Sequence, residues 1–350
     1  MQLGVLLLLA LLGAPLFSII GASAIWGFHS EDIDLQVITV EIYRLAEMPI
    51  LLAIPLFTFA GYLLGESKAP ARMVRMADAL LGWMPGGLAI VALIACALFT
   101  AFTGASGVTI VALGALLFPA LMKAGYPERF NLGLITTSGS LGLLFAPSLP
   151  LILYGVVAQQ SALERPVSID DLFLAGILPG LFMVAMLSMW SMWKQPRGQL
   201  KSGFDHKKVI DSLRESAWEI PLPILILGGI YGGFFAVSEA AAVTAVYVLF
   251  VEVFIKREIP LRDIPRIVRE SMVLVGAIIL ILGVSLASTN YLIDTEVPMQ
   301  LFESIRSHID SKWTFLILLN LFLLALGMML DIFSALIIVI PIILPIAIGY

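Results

Sequence analysis

The residues with the most chemical content in this sequence are small and hydroxylated. Between Thr100 and Thr109 an apolar stretch is interrupted by Thr103-Gly104-Ala105-Ser106-Gly107. Small residues at such a break let carbonyls and hydroxyls turn toward an ion, and hard cations take oxygen ligands. The same composition also serves close helix packing. The flanking Thr100 and Thr103, and a second break further on, favour a binding tip. That second break is Phe145-Ala146-Pro147-Ser148-Leu149-Pro150. Each proline there removes a backbone donor and disturbs the carbonyl one turn earlier, freeing potential cation ligands. Thr136, Thr137, Ser138 and Ser140 precede it at helical spacing. Of these, Thr137, Ser138 and Ser140, together with Thr109, are the candidates for lining a substrate cavity.

Two other positions carry charge in apolar surroundings. Asp331 sits near the turn of a long apolar segment, where an ionised group must be paired, hydrated or bound to a cation; a functional and a tip-forming role are equally compatible with it. Glu239, with Ser238, suits the N-terminus of a helix over 240–254. His29, His206 and His308 fall in predicted loops.

Enzyme chemistry finds little support. Gly104-Ala105-Ser106-Gly107 has the small-residue context of an intramembrane serine nucleophile, but a nucleophile needs a base within hydrogen-bond reach, and no histidine lies in a predicted span. There is no Gly-Lys dipeptide, hence no Walker A loop, and no HExxH or paired-cysteine motif. The single cysteine, Cys96, excludes an intrachain disulfide and reads as apolar filling.

The elements that must position these residues are membrane helices. The 350 residues are 60% hydrophobic and 13% charged, with a mean hydropathy of +1.02; soluble domains carry about a quarter charged residues. Runs such as 3–28, 222–235, 273–287 and 313–330 approach or exceed the roughly 20 apolar residues of a spanning helix. The length accommodates roughly eight to ten membrane segments. Residues 3–28 read as a retained first helix, kinked at Pro15, rather than a signal peptide. Of the 20 Lys and Arg, those at 194–214 and 256–269 cluster in two loops, which the positive-inside rule places in the cytoplasm. Working outward gives spans at 47–65, 131–156 and 172–193, a cytoplasmic N-terminus, and a re-entrant hairpin over 86–118 that turns at Thr103–Gly107. Only Arg44, Arg165, Arg306 and Lys312 then lie outside.

Weak internal symmetry is a mark of transporter folds. Here the break at Gly104–Gly107 is followed by an apolar return and Phe118-Pro119-Ala120-Leu121-Met122-Lys123-Ala124-Gly125-Tyr126; the break at Asp331 is followed by Ser334, an apolar return and Leu344-Pro345-Ile346-Ala347-Ile348-Gly349-Tyr350. The second copy starts from the opposite side, so the expected fold is an all-α, inverted-repeat membrane transporter with two re-entrant helical hairpins and discontinuous helices. The repeat also predicts one further broken helix after Tyr350. The expected organisation is N-terminal scaffold helices over 1–85, a first transport repeat over 86–156, scaffold and connecting helices over 157–270, and a second repeat over 271–350.

Six stretches follow one another along the chain: Ile54-Pro55-Leu56-Phe57 with Ala60-Gly61, Gly86-Gly87-Leu88-Ala89, Phe118 to Tyr126, Ala146 to Pro150, Asp171-Leu172-Phe173-Leu174-Ala175-Gly176-Ile177-Leu178-Pro179-Gly180, and Ser238-Glu239-Ala240-Ala241-Ala242. In these the chain resembles the large membrane subunit, DctM type, of tripartite ATP-independent periplasmic (TRAP) transporters. The resemblance implies an importer of the bacterial or archaeal inner membrane, moving an organic acid with Na+ as coupling ion by an elevator motion. It implies two protein partners, a small membrane subunit and an extracytoplasmic substrate-binding protein, with lipid around them and no nucleic acid. Carried over by position, Thr103, Gly104, Ala105 and Ser106 with Pro147 and Ser148 form a first sodium site, and Gly327, Asp331 and Ser334 belong to the second, which is incomplete here. Two departures stand out: Ala236-Val237-Ser238-Glu239-Ala240 replaces the family's Thr-Pro-Thr-Glu-Ala, and its final Pro-Pro-containing broken helix has no counterpart before Tyr350. The competing readings are a sodium/anion symporter working without a binding protein, and a truncated membrane scaffold that transports nothing.

Overall fold

The computed structural model describes residues 5, 6, 8, 9, 12–160, 167–194, 205–295, 297–309, 311–328 and 330–349. All regular structure among them is helical. In chain order the α-helices are α1 (Leu16–Ser30), α2 (Gln36–Ala46), α3 (Ala53–Glu66), α4 (Ala69–Leu81), α5 (Gly87–Thr103), α6 (Ser106–Lys123), α7 (Glu128–Leu141) and α8 (Leu149–Gln160). They continue as α9 (Ile169–Trp193), α10 (His206–Glu215), α11 (Pro221–Tyr231), α12 (Val237–Phe250), α13 (Ile264–Asp294), α14 (Val297–Arg306), α15 (Lys312–Gly327) and α16 (Ile332–Gly349).

Among the described residues, five helical stretches are long and apolar enough to cross a membrane: Pro49–Glu66, Ser106–Lys123, Ile169–Trp193, Val237–Ile255 and Leu261–Leu292. A sixth is the pair Glu128–Leu144 and Leu149–Gln159, bent by 47°. The expected eight to ten segments are reached only by including helices of 10–17 residues such as α5, α11 and α15. Helices that short do not span a bilayer alone.

The chain divides into two compact units. The first comprises Met1–Leu51, Leu153–Val167 and Leu274–Tyr350; the second comprises Leu52–Ile152 and Ser168–Val273. In the first unit, the reading of 3–28 as one kinked helix is corrected. Gly13 adopts a φ of +81°, and Pro15, extended at φ −57° and ψ 141°, stands as the N-cap of α1. A proline has no N–H to give to a preceding turn, so the regular helix starts at Leu16. Gly21 and Gly27 face α13: a Cβ at Gly27 would lie 2.7 Å from the Tyr291 ring. That close approach lets Phe28, fully buried, meet Tyr291 edge-on at 5.8 Å and pack with Ala24 and Ala287. His29, expected in a loop, occupies the last turn of α1.

The second unit is built around α5. Fourteen of its 17 residues are buried, as expected of a helix apolar all round. It packs against α3, α4, α6, α7 and α9, and Cys96 lies inside this core. The motif that closes α6 is a helix stop. Gly125 takes a φ of +85°, its N–H bonds Met122 O at 3.0 Å, and Tyr126 N–H bonds Leu121 O at 3.2 Å. Glycine tolerates this left-handed position, and the residue after it packs back on the helix; Tyr126 is buried and stacks on Phe130 at 5.2 Å. Helix α12 begins earlier than the expected 240, at Val237. Glu239 Oε2 accepts the Ala236 N–H at 2.9 Å, so Glu239 is half of a capping box and Ala236, not Ser238, is the capped residue.

Candidate functional site

The first break falls between α5 and α6 and is two residues long. Thr103 ends α5, Gly104 turns at a φ of +63°, Ala105 is extended, and Ser106 opens α6. An L-residue with a side chain is strained at Gly104's conformation. Space is equally restrictive: a Cβ on Gly104 would lie 2.4 Å from Leu149 Cγ. The tip of this helical pair therefore sits directly against the start of α8. On its other side, a Cβ at Gly61 of α3 would lie 2.4 Å from Thr103 Cα.

Around the turn the hydroxyls converge. Thr100, Thr103 and Thr109 are all fully buried. Thr100 Oγ1 lies 2.7 Å from Thr109 Oγ1 and 2.9 Å from Gly139 O of α7. Thr103 and Thr109 hydroxyls are 3.3 Å apart, and both approach Ala105 O, at 3.5 and 3.4 Å. Three hydroxyls and two carbonyls thus form one oxygen cluster inside an apolar bundle, where each must find its partner within the protein.

The second break lies between α7 and α8. A short 3-10 turn over Gly142–Leu144 precedes it; Leu149 and Pro150, expected within the break, already belong to α8. The Ala146–Pro147 peptide is cis. Pro147 and Ser148 are buried. Ser148 Oγ donates to Leu143 O and accepts the Leu151 N–H at 3.4 Å, so it both satisfies a carbonyl released at the break and caps α8. Two glycines of α9 hold this segment: a Cβ at Gly176 would lie 2.2 Å from Leu144 O, and one at Gly180 2.7 Å from the Phe145 ring.

The four residues expected to line a cavity separate into two pairs. Thr109 and Ser138 are buried, Ser138 Oγ bonding Ile135 O at 3.1 Å. Thr137 and Ser140 lie on the exposed face of α7, where Ser140 Oγ bonds Thr137 O at 2.9 Å. Helical spacing put Thr137, Ser138 and Ser140 on one helix, and the 100° step between neighbours puts Ser138 on a different face from the other two.

The third break, between α15 and α16, lies in the first unit. Asp331 is exposed, and its Oδ2 accepts the N–H groups of Phe333 and Ser334 at 3.0 and 3.2 Å; the Ser334 hydroxyl bonds its Oδ1. This is N-capping by a carboxylate at a helix start, the tip-forming role. Ser334 is buried, and Gly327, the last residue of α15, faces open space.

Two helical pairs with short breaks, one of them lined with buried hydroxyls, are the arrangement from which intramembrane ion sites are made. Residues 3–349 match the family described as tripartite ATP-independent periplasmic transporter, DctM component. The chain belongs to this family of TRAP transporter large permeases. It is 32% identical over 99% of its length to the C4-dicarboxylate TRAP transporter large permease protein DctM of Rhodobacter capsulatus, covering 81% of that protein. It is 32% identical to the isethionate TRAP transporter permease protein DctMQ of Oleidesulfovibrio alaskensis, over 85% of this chain and 46% of that one. It is 30% identical to the ectoine/5-hydroxyectoine TRAP transporter large permease protein UehC of Ruegeria pomeroyi, over 86% of this chain and 70% of that one.

Within this permease, sequence reasoning used Thr100 only as a flank of the binding tip, not as a site residue, and passed over Gly139, its partner at the hub of the oxygen cluster. Their signal was present: Thr100 is three residues before Thr103 and nine before Thr109, a spacing that a helix, a tight turn and a second helix bring together. It also passed over Glu252, a carboxylate inside an apolar stretch, which is a warning of function in a membrane protein.

Proposed function

We propose that this TRAP large permease imports an organic acid driven by sodium, receiving it from an extracytoplasmic binding protein and working with a small membrane subunit in an inner membrane, its N-terminus cytoplasmic. The observation that carries the reading is the buried oxygen cluster of Thr100, Thr103, Thr109, Ala105 O and Gly139 O at a break whose tip rests on Leu149, the first residue of α8 after the second break at Pro147 and Ser148. Sodium, a hard cation, takes oxygen ligands by analogy with other hard ions. A modest rotation of the threonine side chains would turn their lone pairs, now spent on one another, toward an ion. Ala105 O lies beside them, and Gly104, Ser106, Pro147 and Ser148 would complete the site with backbone carbonyls. The second site, at Gly327, Asp331 and Ser334, offers the Asp331 carboxylate. The ion's binding would order the tip before the organic acid arrives, and an elevator motion of the hairpin-bearing helices would carry both across. Relatives whose names specify a C4-dicarboxylate and isethionate support an acidic substrate.

The test is reconstitution in vesicles with the small subunit and binding protein, loaded with an outward or inward sodium gradient and no ATP. Uptake should follow the inward gradient and vanish when it is reversed. Uptake that ignores sodium, or that needs ATP, overturns the proposal. Uptake that persists without the binding protein favours the simpler symporter.

A further inference from the structure

Away from the candidate ion sites, the second unit buries a charge cluster with an imbalance in it. Arg72 of α4 is surrounded by three carboxylates from other segments. Its Nε donates to Glu219 Oε1 at 2.6 Å, its Nη2 to Glu252 Oε1 at 3.3 Å, and its Nη1 to Glu258 Oε1. Glu219 lies in the turn before α11, Glu252 in the π-helical turn that ends α12, and Glu258 in the loop toward α13. The side chains of Arg72, Glu219 and Glu252 are 5%, 3% and 1% exposed.

Burial disfavours a charged guanidinium, but Glu219, Glu258 and Glu252 outweigh it and hold Arg72 above its ordinary value. It is a fixed cation. One positive charge then faces three carboxylates. Of the other charged and titratable groups nearby, Lys256 acts on Glu252 through space while its Nζ donates to Glu215 O at 3.1 Å, Arg75 pairs with Glu215 at 2.9 Å, and the Tyr247 hydroxyl donates to Trp218 O at 2.9 Å. Lys68 reaches the cluster only through its backbone N–H, 2.7 Å from Glu258 Oε2. Two carboxylate oxygens, Glu219 Oε2 and Glu252 Oε2, are buried with no hydrogen-bond partner, and Ser216 Oγ, three residues before Glu219, shares that state.

An unpaired carboxylate oxygen closed off from water is costly, and the ordinary resolution is to neutralise the group. Among the described residues no group of three or more acidic, histidine or cysteine side chains has the geometry to hold a metal ion. We propose that the Arg72–Glu219–Glu252–Glu258 cluster is a proton-binding site, holding one exchangeable proton shared among its three carboxylates, two of whose oxygens have no other partner. Because these residues tie α4, the α11 entry and the end of α12 together, the proton sets how firmly that part of the permease is packed. Free carboxylates ionise near pH ~4.3, so around neutral pH the folded protein holds a proton that the unfolded chain has lost. Stability therefore falls as pH rises, and the unfolding equilibrium constant grows about tenfold per pH unit for one proton.

The experiment uses the full chain in detergent micelles. Infrared spectra at neutral pH should show the carbonyl stretch of a protonated carboxyl, shifted in heavy water and lost in Glu252→Gln or Glu219→Gln. The pH dependence of unfolding should flatten in the same variant, because the amide mimics the protonated acid. Exchanging sodium for potassium or choline at constant pH should change neither. A wild-type spectrum without the band, a band unchanged in both variants, or a band abolished by sodium overturns the proposal. The wild-type spectrum decides even if a variant fails to fold.

Discussion

Gly104→Ala is the sharpest perturbation of the tip. At a φ of +63° an alanine loses about 1–2 kcal/mol to the clash of its Cβ with the backbone. The same Cβ would lie 2.4 Å from Leu149 Cγ and 2.5 Å from Leu149 Cδ1. Cγ is a branch point next to the backbone, not the free end of a flexible chain, so the start of α8 must shift, at an overpacking cost of about 1–3 kcal/mol. Together these give roughly 2–5 kcal/mol of destabilisation. Gly107→Ala, three residues on, is the control. It is helical with nothing within 4 Å of its ideal Cβ, so alanine there should be stabilising by about 0.5–1 kcal/mol. Both variants are to be compared with wild type by denaturant unfolding in micelles, followed by tryptophan fluorescence, and by sodium-driven uptake in vesicles. Gly104→Ala should unfold at lower denaturant and lose most uptake while Gly107→Ala retains both. If the two variants agree within about 0.5 kcal/mol, the contact between the tip and α8 does not hold in solution and the site argued from it falls.

Thr109→Val removes the acceptor for Thr100 Oγ1 at 2.7 Å at nearly constant volume; it should cost about 1–3 kcal/mol and raise the sodium concentration needed for half-maximal uptake, and an unchanged sodium dependence would remove Thr109 from the site. Asp331→Asn separates cap from ligand: asparagine caps as well as aspartate, so unchanged uptake would confine Asp331 to capping, whereas lost uptake with stability retained would show that its charge is used. Asp331→Ala should cost about 1 kcal/mol in either case. A thiol reagent should reach Asp205→Cys only from the cytoplasm and Leu163→Cys, outside the described residues, only from the other side; the native Cys96 is buried and should contribute little background. Reversed accessibility would invert the topology.

The sequence by itself determined the membrane character, the order of helices and the positions of the breaks. Those are properties of local composition: hydrophobic length, prolines at 147 and 150, and a glycine at 104 in a conformation that few other residues adopt. The cap at Glu239 was legible because capping involves residues a few positions apart. What only the tertiary structure decided depends on contacts between distant segments. Thr100 meets Gly139 across 39 residues, and which of Thr137, Ser138 and Ser140 is buried depends on which face of α7 meets α5. Pro15 was visible in the sequence, but whether it kinked or started a helix depended on the backbone at Gly13. That Asp331 caps α16 emerged only when its oxygens were placed against the Phe333 and Ser334 N–H groups. The cluster at Arg72 joins residues up to 186 positions apart. Its charge imbalance exists only where folding has excluded the water that would otherwise screen it.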